Sequence, residues 1–120
     1  MKYDVNELYE IIKKACDDYY IIGIRAANED YIKGDILPKS YHWEDNVKTK
    51  QKLGGTSSIY VTSGFDIMES EKEQIVKALE LVKRYVGKNV YIIGGDREID
   101  YSNDEQEVVI ENAQIIEKIN

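Results

Sequence analysis

The stretch at 88–96, KNVYIIGGD, constrains this chain most. Four apolar residues at 90–93 read as a short core strand. They run into Gly94-Gly95 and then a carboxylate, Asp96. Paired glycines at a strand end let a backbone or a ligand come close and allow positive φ at little cost. A helix pattern delivers the chain into this strand. Ser70 and Glu73 form a capping-box signature, SEKE. Ile75, Val76, Leu79, Val82, Tyr85 and Val86 make its buried stripe. Gly87 stands where a helix commonly ends. The far end of the 90–93 strand is therefore the first place to look for a binding site. The polar run 96–104 beyond it, DREIDYSND, reads as a loop whose side chains can close over that site.

Residues 4–20 read as a further helix, with Val5, Leu8, Tyr9, Ile12, Ala15, Cys16 and Tyr19 on one face. Asp4 caps its first turn, with Glu7 three residues on. Residues 20–26, YIIGIRA, are strand-like, and Gly23 marks a bulge or a close approach. Residues 27–55 form a long irregular segment holding the only Pro, Trp and His. So long a run in a compact domain is functional or an embellishment. Trp43 there is a packing anchor or a stacking platform. His42 has no metal-ligand spacing and reads as a polar loop residue. Residues 56–62, TSSIYVT, form a second strand. Residues 105–119 read as two strands or one bent strand, interrupted at Glu111-Asn112-Ala113. The expected fold is α+β in a single domain, 1–120. Two helices pack on a small, mostly antiparallel sheet, with the long loop after the first strand.

Composition narrows the function. A net charge of -7 argues against general nucleic-acid binding and against an anionic membrane. One cysteine and one histidine exclude a disulfide within the chain and a Cys- or His-rich metal cluster. No signal-peptide pattern and no spanning apolar run are present, so a cytosolic protein without a cofactor is expected. Arginine is scarce, at Arg25, Arg84 and Arg97. Arginine is the better bidentate ligand for phosphate, so Arg25, near the end of an apolar strand, is the leading anion ligand. The start of the second strand, GGTS, can hold an anion through backbone N–H groups or can be a plain turn. Glu105 and Glu107 share one face of a strand, but no nucleophile elbow, triad spacing, phosphate loop or dinucleotide fingerprint is present.

Two resemblances follow from these residues. Arg25, the serine-rich Thr56-Ser57-Ser58 and Glu105-Gln106-Glu107 are similar to the Arg, Ser-Thr-Ser and Glu-x-Glu layout of arginine-type ADP-ribosyltransferases. That resemblance implies NAD held by Arg25 and Ser57, with Glu107 directing transfer. It departs from the family in reading TSS for STS, and the chain is short for such a domain.

More of the chain resembles phage anti-Thoeris sponges. The likeness lies in Ile24-Arg25-Ala26, Gly34-Asp35-x-Leu37-Pro38, Trp43, Gly54-Gly55-Thr56-Ser57, Val90-Tyr91-Ile92-Ile93-Gly94-Gly95 and Glu107-Val108-Val109-Ile110. It implies a counter-defence protein, not an enzyme. Such a protein sequesters a cyclic ADP-ribose isomer uncleaved in the bacterial cytosol and works as a homo-oligomer. A ligand with two phosphates and an adenine calls for arginine, backbone donors, an aromatic platform and carboxylates for ribose hydroxyls. By position, the candidates are Arg25, Thr56, Tyr85, Gly94, Gly95, Asp96, Tyr101 and Asn103. A third class, an acidic protein-binding inhibitor or nucleic-acid mimic, would spread its carboxylates along one face.

Overall fold

A computed structural model describes residues 2–37, 40–43, 58–83, 87–100 and 107–120; for 40–43, 97–100 and 107–111 it describes the backbone. Its elements are α1 (Val5–Ala15), β1 (Ile21–Ala27), β2 (Ser40–Trp43), β3 (Ser58–Ser63), a 3-10 turn (Glu69–Glu71), α2 (Lys72–Val82), β4 (Asn89–Asp100) and β5 (Glu107–Lys118). The strands close into a barrel in the order β1-β3-β2-β5-β4. All pairs are antiparallel except β2 with β3. The α+β class with a mostly antiparallel sheet and two helices is as the sequence predicts. Among the described residues, no helix is long and apolar enough to cross a membrane.

Helix α1 starts as its sequence dictates. The Asp4 carboxylate accepts from the Glu7 N–H at 2.8 Å, and Glu7 accepts in return from the Asp4 N–H at 3.1 Å. Leu8, Tyr9, Ile12 and Ala15 form its buried stripe. Helix α2 begins differently from the prediction. Ser70 lies inside the 3-10 turn, and Glu71 closes the start by accepting from the Met68 N–H at 2.8 Å. The reason lies in the sheet below. The buried Thr62 hydroxyl reaches both the Asp66 carbonyl and the Glu71 carboxylate, so Glu71 is held where it fixes this turn. Ile75, Ala78, Leu79 and Val82 are buried, whereas Val76 is exposed. Tyr85 and Val86 of the predicted stripe lie outside the described residues.

Both helices cover one face of the barrel wall. Ile22, Ile24 and Ala26 of β1 join Leu8, Ile12, Ile75, Ala78, Ile59 and Ile92 in one apolar cluster. Residues alternate across a strand, so Ile21 and Ala27 point the other way. They form a second cluster with Tyr91, Ile93, Ala113, Ile115 and Leu37, which is the barrel interior. All seven residues of β1 are buried, because the helices cover one face and the closed barrel covers the other.

The predicted irregularities fall where glycine and asparagine stand. The β1–β3 register shifts between Ile22 and Gly23. On β5, Asn112 takes φ 53° where the register against β4 slips between Gly94 and Asp96. One bent strand thus replaces the two-strand alternative. Two expectations about β4 need correction. The strand does not end at Gly94-Gly95 but runs on to Asp100, so 96–100 is strand rather than loop. Pairing to β5 continues through Asp96↔Glu111 to Asp100↔Glu107, and this carries the strand past the glycines.

Candidate functional site

The cross-strand register builds the site from Arg25 outward. Arg25 pairs with Ser58 on β3 and with Tyr91 on β4, and Ser58 pairs in turn with His42 on β2. His42 pairs with Val108 on β5. One row thus runs Tyr91–Arg25–Ser58–His42–Val108 around the barrel. Arg25, Ser58 and Tyr91, paired this way, present their side chains to one face. Tyr91 belongs to the interior cluster, so Arg25 and Ser58 face inward. Arg25 is 8% exposed and interacts within the protein. Ser58 is fully buried, and its hydroxyl has no hydrogen-bond partner among the described residues. A buried hydroxyl left so costs about 1–3 kcal/mol. Chemically, this layer offers a fixed positive charge and a spare hydroxyl in apolar surroundings, the pairing that receives an oxyanion.

The polar groups above this row are firmly held. The Tyr91 hydroxyl donates to the Glu29 carbonyl at 2.7 Å and accepts from the Tyr31 N–H at 3.0 Å. The Asn89 amide donates to the Glu29 carbonyl and the Asp30 carboxylate. These contacts pin the first turn of the long 28–37 segment against the barrel. Asn89 and Tyr91 are not legible as anchors in the sequence, where their signal is only a polar and an aromatic residue flanking Val90 in a core strand.

The glycine pair lies elsewhere on the barrel. Gly94 and Gly95 pair with Ile22 and Ile21. Three residues of extended strand separate Ile22 from Arg25, about 10 Å. The two glycines also serve different faces. A Cβ on Gly94 would lie 2.7 Å from the Tyr19 ring and 2.8 Å from Ile116, on the helix-covered side. Gly94 therefore makes room for Tyr19, whose hydroxyl donates to the Gln114 side chain at 2.6 Å. Gly95 alternates to the interior face. Asp96 is exposed and accepts from the Asn112 side-chain amide at 3.0 Å, which clamps the β5 bulge. Among the predicted site residues, the structure thus gathers Gly94, Gly95 and Asp96 on one stretch of β4 and sets Arg25 apart from them. Thr56, Tyr85, Tyr101 and Asn103 lie outside the described residues, as does Ser57 of the transferase pattern.

An aromatic group unforeseen in the sequence stands at the Gly95 end. Tyr20 precedes Ile21, which pairs with both Ser63 and Gly95. The Tyr20 carbonyl accepts from the Gly64 N–H at 2.8 Å. Phe65 takes φ 63°, an uncommon conformation for a bulky residue, and packs edge-on to Tyr20 at 5.2 Å. Its ring stays 57% exposed. The Tyr60 and Ser63 hydroxyls share a hydrogen bond of 3.0 Å nearby. This end of the barrel combines an exposed ring with hydroxyl groups and, one residue along β4, the Asp96 carboxylate.

Cys16 is buried and without metal-site geometry; among the described residues no group of His, Cys, Asp and Glu could hold a metal ion. Comparison with protein-family models, with curated proteins and with solved structures finds no match for this chain.

Proposed function

We propose that this protein captures a small nucleotide-derived ligand, a cyclic ADP-ribose isomer, and holds it uncleaved as a phage-type counter-defence sponge. The observation that carries the reading is Arg25 cross-strand from the Ser58 hydroxyl, which has no partner among the described residues, on the barrel's inner face. A phosphate offers the acceptor that this hydroxyl lacks and the negative charge that suits a buried arginine. The exposed Phe65 ring supports the reading as a stacking surface for adenine. Capture of this kind needs enclosure and pre-organised donors rather than a nucleophile. Exposed Ile32, Ile36 and Met68 support assembly as a homo-oligomer, because apolar surface of this kind is what subunit contacts cover.

The same row supports a second reading, an NAD-using transferase: Arg25 lies in the row and Glu107 precedes its Val108 on β5, while Ser57 lies outside the described residues. A single experiment separates the two. The protein is mixed with a cyclic ADP-ribose isomer and, separately, with NAD, then removed by filtration and denatured. Ligand lost from the filtrate and recovered unchanged supports capture. Nicotinamide released from NAD supports the transferase, and Glu107→Gln would then abolish it. Both ligands left untouched in the filtrate would overturn both readings and favour an acidic protein-binding inhibitor.

A further inference from the structure

A separate cleft lies outside the barrel, between α1, the Lys33–Gly34 turn and β5, with a volume of about 340 Å³. That volume lies within the range of small-molecule sites, about 300–1,000 Å³. Ile116 gives it an apolar wall and Tyr19 lines another side, while Ile115, whose side chain belongs to the interior cluster, borders it along β5. Lys14 reaches its rim from the helix and Lys33 from the turn opposite. Both lysines are exposed, and neither is ion-paired among the described residues. Asp18 on the helix side and Glu117 on β5, the latter bound by the Tyr3 hydroxyl at 3.1 Å, add carboxylate acceptors.

The walls are fixed in advance. The Tyr19 ring rests on Gly94, and its hydroxyl is tied to Gln114. The turn is held by the Gly34 N–H to the Ile115 carbonyl at 2.8 Å and by the Ile115 N–H to the Asp35 carbonyl at 3.0 Å. The Asp35 carboxylate closes it through the Ile32 N–H at 2.8 Å.

We propose that this cleft is a second site, for a planar aromatic anion of mononucleotide size. Its ring would lie against Tyr19 and Ile116, its anionic group between Lys14 and Lys33, and a hydroxyl or amine donor on Asp18. Apolar floors with a few convergent charges are the usual form of such sites. Cations from facing walls select an anion that spans them. The proposal stands apart from the reading of Arg25, because the Arg25 row contributes nothing to this lining.

The test is a titration of the intact protein with adenosine monophosphate, followed by backbone amide NMR. Adenosine and ribose phosphate serve as arms lacking one half of the ligand. Saturable shifts are expected at Ala15, Gly34 and Ile115, with both partial ligands weaker. The double variant Lys14→Glu with Lys33→Glu changes only exposed side chains and keeps the fold. It should weaken the monophosphate by about tenfold or more, the loss of at least one charged contact. No shift at these amides, or shifts unchanged in the double variant, would overturn the proposal. The same variant should still retain a cyclic ADP-ribose isomer on the filter. Failure of the cleft is thereby read separately from failure of capture.

Discussion

Ile24 and Arg25 are neighbours on β1, yet they face different chemistry. Ile24 points outward into the apolar cluster beneath both helices. Arg25 points inward, between Ser58 and Tyr91. Both are buried. The outer face is where the fold gains its stability, by removing apolar surface from water. The inner face gives up part of that gain to keep a charge and a spare hydroxyl. Polar groups on the enclosed side of a strand are what the proposed capture would use.

The largest expected effect lies on the outer face. Ile24→Ala should cost about 2–5 kcal/mol of stability, read from the urea midpoint. The folded protein should keep its ligand affinity. A loss of affinity without loss of stability would break the contrast between the faces.

Gly94→Ala comes next. Its Cβ would meet the Tyr19 ring at 2.7 Å, so the ring must move. Overpacking of this kind costs about 1–3 kcal/mol. Displacement of Tyr19 should appear as a change in near-ultraviolet circular dichroism. An unchanged spectrum and midpoint would show that the glycine is not needed for close packing.

Asp96→Ala removes an exposed clamp on the β5 bulge, the bond from Asn112. The expected loss is about 0.5–1.5 kcal/mol. A greater loss of ligand affinity than of stability would return Asp96 to the binding site.

A further effect, dependent on pH, concerns Cys16. Burial, and then the nearby Asp66 carboxylate, push its thiol up to about 11 from its ordinary 9.0. The folded state therefore favours the neutral thiol. Its contribution is present below pH 9.0 and is lost as pH rises toward about 11, because the unfolded chain ionises first. The stability gap between wild type and Cys16→Ala should shrink over that range. A gap that stays constant would contradict the shift.

The same contrast explains what was legible in the sequence. The helices and the outward residues of β1 follow from simple spacing, since one apolar face must be buried. The capping of α1 by Asp4 and Glu7 was equally local. What depends on closure was not local. The sequence cannot show that His42, Ser58 and Arg25 share a row, because strand order and register set it. The Gly-Gly pair marks a close approach but not the strand end, for a physical reason. Glycines at a strand end and glycines that admit a ring across a strand look alike in sequence. Only Tyr19, packed on Gly94, tells them apart. Likewise, the start of α2 moved from Ser70 to Glu71 because a buried threonine on β3 recruits that carboxylate.

The central claim is that Arg25 and its inner-face neighbours hold a phosphate-bearing ligand. Calorimetric titration of a cyclic ADP-ribose isomer into wild type, Arg25→Ala and Arg25→Lys tests it most directly, with folding of each variant checked by circular dichroism. Saturable binding to wild type is predicted. Arg25→Ala should weaken it by about tenfold or more. Arg25→Lys should also weaken it, because lysine keeps the charge but not the planar fork. Equal affinity across the three folded proteins would contradict the account.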